Sequence, residues 1–119
     1  MAFPKTMRTP YTRFEVKDGI AYFIFDRPET KNAIDENMCL DLTDCVYLCN
    51  DTPEIRVLVL RGANNCFSAG GDLKSMRDCI EHPETLEESV ETAVRQLGQT
   101  AWALRTCRKP TVAWMEGAA

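Results

Sequence analysis

Apolar positions along the chain change their spacing at definable points, and each change marks an element. Residues 11–16, the Lys17-Asp18-Gly19 turn signal and residues 20–25 read together as a β-hairpin. Its second strand is apolar without alternation, the pattern of a strand covered on both faces. Asp26-Arg27-Pro28 ends it, because proline has no N–H for the ladder and holds the preceding residue extended; a loop is expected through Asn32. Asp35 is placed to cap a helix running to about Asn50, with Ile34 before the cap and Met38, Leu42, Cys45, Val46 and Cys49 on one face. Asn50-Asp51-Thr52-Pro53 stops it. Residues 56–61 contain Val57-Leu58-Val59-Leu60, a run suited to a buried parallel strand. After a turn at 62–66, one helical turn is expected at 72–76, and His82-Pro83-Glu84-Thr85 interrupts the chain beyond it. Residues 86–108 then carry a long helical pattern with Val90, Val94, Leu97, Ala101, Leu104 and Cys107 on one stripe. Lys109-Pro110 ends it, and residues 111–115 are another short buried-strand candidate.

Strands that alternate with helices argue an α/β layer with right-handed crossovers. No repeat, linker or low-complexity segment interrupts the 119 residues, which are expected to form one domain or part of one. Composition agrees: 45% hydrophobic and 27% charged residues exclude bulk disorder. The net charge of −4 comes without any Lys/Arg run, so no nucleic-acid partner is expected. No apolar run approaches the roughly 20 residues that span a bilayer, so no membrane partner is expected either. Residues 1–14 hold three basic residues and no acid, faintly like a transit peptide, but Pro4 and Pro10 spoil an amphipathic helix there. A cytoplasmic location is expected, with mitochondrial or peroxisomal as the alternative. Six cysteines without a CxxC pair, and one histidine, His82, do not make a zinc site; scattered reduced thiols, mostly buried, are expected.

The segment that carries chemistry is Cys66-Phe67-Ser68-Ala69-Gly70-Gly71-Asp72-Leu73-Lys74, a glycine-rich loop between a buried strand and a helical turn. A helix N-terminus leaves N–H groups with partial positive charge, and adjacent glycines let a ligand approach the backbone. Such a place suits an anion or a developing oxyanion. Neither GK[ST] nor GxGxxG is present, so nucleotide motifs do not fit. The bland alternative is a tight turn in which Gly70 and Gly71 supply positive φ and Asp72 caps the helix.

FSAGGDLK, together with DRPETKNAI, EIRVLVLRGANNCFSAGGD and RKPTVAWMEGAA, closely resembles the enoyl-CoA hydratase/isomerase (crotonase) superfamily, in order and register from about Phe14 to the end. The resemblance implies a crotonase-like α/β fold, a spiral of ββα units, cut before the second set of oxyanion-hole glycines. It implies that Gly71 gives one backbone N–H of an oxyanion hole for an acyl-CoA thioester, and that Ala69 offers its carbonyl to the pantetheine arm. Lys74 and Lys31 would face the CoA phosphates, Ser68 and Gly70 belong to the same substrate-binding loop, and Met76, with Ile80 and Leu86, would wall the acyl pocket. No cofactor is expected beyond the coenzyme A of the substrate.

In that family the second oxyanion donor comes after the V-x-G-x-A strand end, expected just past Ala119, and the proton-transfer glutamates lie further on. None of the 18 acidic residues takes those roles; Glu116 stands where asparagine is common. The 119-residue piece is therefore expected to be catalytically dead while its parent hydrates or isomerises 2-enoyl-CoA, as a homotrimer or dimer of trimers. Two other readings stay open: a non-catalytic acyl-CoA-binding protein or pseudoenzyme, and a generic α/β domain with a phosphate-binding turn.

Overall fold

The computed structural model describes residues 7–71, 77, 81, 84 and 86–117. The chain forms β1 (Thr12–Lys17), β2 (Ile20–Phe25), a 3-10 turn (Pro28–Thr30), helix α1 (Glu36–Asp51), β3 (Val57–Gly62), helix α2 (Leu86–Arg105) and β4 (Thr111–Trp114). One four-stranded sheet has the order β1-β2-β3-β4. β1 is antiparallel to β2, with Lys17 opposite Ile20 and Thr12 opposite Phe25. β2, β3 and β4 are mutually parallel, with Ile20 opposite Val57 and Leu58 opposite Thr111. The two parallel steps are crossed by α1 and α2, as parallel strands require.

Local chemistry accounts for the elements. Asp18 (φ 53°) and Gly19 (φ 81°) both take positive φ, which makes a type I′ turn whose twist suits a two-residue hairpin. Asp35 caps α1, its carboxylate accepting from the Met38 N–H at 2.9 Å. Met38, Leu42, Cys45, Val46 and Cys49 are all buried, the face expected from their spacing. With Ala21, Phe23, Phe25, Ile55, Leu58 and Ala103 they form the core. Asp41 is also on the buried side of α1, fully enclosed; its carboxylate accepts from the Arg8 N–H, the Arg8 guanidinium (3.1 Å) and the Thr12 hydroxyl (2.8 Å). That cluster satisfies a buried charge and ties the segment before β1 to α1.

Three expectations change. The loop at 26–32 contains the 3-10 turn, because Pro28 at its first position already has helical φ. Only the C-terminal part of the stripe read over residues 86–108 is packed: Leu104 and Cys107 lie against the core, whereas Val90 (49%), Val94 (65%) and Leu97 (63%) are exposed. The residues that α2 buries most fully are Thr100 and Ala103, Thr100 lying one position and about 100° round the helix from the exposed Ala101. Hydroxyls and a small side chain let α2 lie close on α1: Thr100 Oγ1 is 2.8 Å from Thr43 Oγ1, and Gln96 donates to the Glu36 carboxylate at 2.7 Å. Finally, β4 is exposed along its whole length rather than buried, because among the described residues it lies beside β3 and no helix packs over its faces. Of the described cysteines, Cys45 and Cys49 are buried, while Cys39, Cys66 and Cys107 are half-buried. The helical turn expected at 72–76 lies outside the described residues.

Candidate functional site

The loops that leave β2 and β3 emerge at the same edge of the sheet, beyond the carboxyl ends of parallel strands, the usual ligand-binding edge of α/β sheets. They are joined there by one residue. Asn32 is 1% exposed, and each of its polar groups is used. Its N–H donates to the Arg27 carbonyl (2.9 Å) and its Oδ1 accepts from the Arg27 N–H (2.7 Å). Its Nδ2 donates to the Cys66 carbonyl (2.7 Å) and, at longer range, to those of Ala63 and Phe67. Lys31 and Asn32 both take left-handed φ, 54° and 61°, a conformation asparagine tolerates better than most residues. The clip is reinforced by Phe67, whose ring meets Phe25 edge-on at 5.7 Å. Gly62 admits no side chain, since a Cβ there would fall 1.8 Å from the Cys66 carbonyl oxygen.

From this crossing the chain rises into Ser68-Ala69-Gly70-Gly71. Ser68 is buried, whereas Ala69, Gly70 and Gly71 are exposed. The Ser68 hydroxyl donates to the Asn32 carbonyl at 2.9 Å and accepts the Gly70 N–H at 3.0 Å. Gly70 takes φ +94°, and its carbonyl accepts the Ile34 N–H at 2.7 Å. Ile34 and Gly71 form a parallel bridge. In that pairing Ile34 directs its own groups to the glycine strand, and Gly71 turns its N–H and carbonyl to the opposite side. The Gly71 N–H has no acceptor among the described residues. Lys31 is exposed beside this turn, its carbonyl accepting from the Cys66 thiol at 3.3 Å.

The structure thus brings Lys31, Ser68, Ala69, Gly70 and Gly71 into one corner, with the Ser68 side chain turned inward to backbone groups. Lys74 and Met76, along with Asp72, lie outside the described residues. Asn32 does not stand out in the sequence as a site residue; an asparagine two places after a proline-initiated turn reads as ordinary turn chemistry. Among the described residues no group of three His, Cys, Asp or Glu side chains is arranged to hold a metal ion. No helix among them is long and apolar enough to cross a membrane.

Residues 15–119 match the family model described as enoyl-CoA hydratase/isomerase. A hydroxycinnamoyl-CoA hydratase-lyase from Pseudomonas fluorescens is 36% identical over 107 residues, covering 88% of this chain and 38% of the relative. A small ribosomal subunit protein, mS47, from Schizosaccharomyces pombe is 30% identical over 97% of the chain and 26% of its own length. Among solved structures, Pseudomonas aeruginosa AtuE superposes with a TM-score of 0.81 at 30% identity, over 91% of this chain and 41% of that one. The chain therefore spans about two fifths or less of the length of these relatives. Its strand and helix units are those of the crotonase fold, and with nearly the whole sequence inside the family match, the chain belongs to the enoyl-CoA hydratase/isomerase family.

Proposed function

We propose that the protein carrying these residues is an acyl-CoA thioester enzyme that hydrates or isomerises 2-enoyl-CoA through an oxyanion hole, with the Gly71 N–H as one donor. The observation that carries this reading is the direction of that N–H: outward, on an exposed turn, with no acceptor among the described residues. Adding water to a 2-enoyl thioester or shifting its double bond passes through an enolate-like state, in which negative charge grows on the thioester oxygen. A preorganised N–H meets that charge without reorganising; losing one such donor costs about 3 kcal/mol of transition-state stabilisation. In this reading Ala69 offers its carbonyl to the pantetheine arm, and Lys31 faces the CoA phosphates with Lys74. Met76 lies toward the acyl group. The 119 residues carry one donor and no carboxylate assigned to proton transfer, so alone they bind the thioester without turning it over.

Calorimetry on the purified chain with acetyl-CoA and with ATP tests the proposal. Preference for the thioester supports it; equal or better binding of ATP overturns it in favour of a simple phosphate turn. Gly71→Pro, which deletes the donor N–H, is expected to weaken acetyl-CoA binding. Hydration of crotonyl-CoA by the chain alone at rates typical of the family would refute the division of labour. The second reading, a non-catalytic member that uses the loop for binding or assembly, is favoured by the likeness to a ribosomal protein over nearly the whole chain.

A further inference from the structure

We infer that Asn32 is the positioning residue of the oxyanion turn and that it acts through Ser68; this rests on the reading of Gly71 as the donor. Donor chemistry fixes the direction of each bond between them. The Asn32 carbonyl can only accept, so the Ser68 hydroxyl, 2.9 Å away, must give it its single proton. The Ser68 oxygen is then left to accept, and the group that reaches it is the Gly70 N–H at 3.0 Å. The order of donors is therefore fixed from Asn32 outward: hydroxyl to carbonyl, then amide to hydroxyl. Gly70 is held from its other end too, because its carbonyl accepts the Ile34 N–H, only two residues from Asn32. With both peptide groups of Gly70 fixed and its φ at +94°, the next N–H along the chain, that of Gly71, has one direction to take.

Asn32 itself cannot drift. Its side chain grips Arg27 at the end of β2 and the Cys66 carbonyl beyond β3, and it is 1% exposed. The turn is thus set against two sheet strands at once, through a short relay and without touching substrate. A positioning role of this kind differs from general support of the fold: it reaches Gly71 in particular, and it matters more for a thioester oxygen than for the CoA arm.

The chain has six glycines, so selective 15N-glycine labelling gives a sparse amide spectrum in which the turn is read directly. The variants are Ser68→Ala, which removes only the relay hydroxyl, and Asn32→Asp, which keeps the acceptor for Arg27 and removes the amide donors. In Ser68→Ala, the Gly70 and Gly71 amides are expected to shift and exchange faster with solvent, while Gly19 and Gly98 stay in place. Acetyl-CoA affinity is expected to fall by about tenfold, with free CoA affinity nearly unchanged. Asn32→Asp should do the same where it folds; if it does not fold, Ser68→Ala decides alone. Unmoved Gly71 resonances in folded Ser68→Ala, or equal loss of CoA and acetyl-CoA binding, would overturn the inference. A wild-type chain that binds acetyl-CoA no better than CoA would instead remove the thioester reading, and the glycine amides alone would then decide whether Ser68 and Asn32 position the turn.

Discussion

The Cys49 thiol is wholly enclosed on α1, and burial pushes its pKa up from the ordinary value of 9.0 to about 11, since a thiolate there would lose its hydration. The nearby Cys107 thiol acts in the same direction, and Lys109 opposes it. Because the folded value lies above the unfolded one, the folded chain holds the proton more tightly between the two. The stabilisation is complete below about pH 9 and is lost as pH rises toward about 11. Urea unfolding at about pH 8 and about pH 10.5 is therefore expected to show the wild type losing about 2 kcal/mol more than Cys49→Ala across that interval. Equal losses would show that the thiol does not titrate with unfolding. At this same scale the site was only half legible. Gly70 and Gly71 announce themselves, because a glycine pair between strand and helix has few other uses. Asn32 does not, since its carbonyl partners at 63, 66 and 67 lie more than thirty positions away and meet it only once two loops cross.

At the scale of elements, α1 and α2 show where periodicity works and where it misleads. α1 has one apolar face and one polar face, so Met38, Leu42, Cys45, Val46 and Cys49 leave no choice of orientation. The stripe that runs along α2 reaches the core only at its far end, through Leu104 and Cys107; before that the helix meets α1 with threonine and glutamine, which hydropathy cannot distinguish from a solvated face. Small residues and a hydroxyl pair permit a close approach that Leu97 would prevent. Leu97→Glu is thus expected to leave stability within about 0.5 kcal/mol of wild type, whereas Ala103→Glu, burying a carboxylate at a position 1% exposed, is expected to cost about 3 kcal/mol or more. Denaturant melts of the two variants check this, and the reverse order would mean that α2 is turned the other way in solution. The hairpin and the parallel strands were legible because their signals are local: Asp-Gly at the turn, and β-branched or aromatic runs between breakers.

Across the whole molecule, the sheet explains both the site and the surface. Parallel β2, β3 and β4 deliver their carboxyl ends to one edge, where the loops after β2 and β3 cross and Cys66 bridges to Gly117 beyond β4. Gly117 needs its lack of a side chain there, as a Cβ would lie 1.9 Å from the Asn65 carbonyl oxygen. The order of strands also leaves two outer edges of different character. β1 presents Arg13, Glu15 and Lys17 to solvent, and charge on an edge discourages pairing with another chain. β4 presents Thr111, Val112, Ala113 and Trp114, none of them charged. Sedimentation of the 119-residue chain at rising concentration is expected to show association that Val112→Lys suppresses and that Arg13→Lys, on the opposite edge, leaves alone. Equal effects of the two changes would place the contact elsewhere. Among the described residues the sheet therefore has one guarded edge and one unguarded edge: a strand arriving at β1 must desolvate Arg13, Glu15 and Lys17, while one arriving at β4 meets no charge, so growth of the sheet is expected from the β4 side.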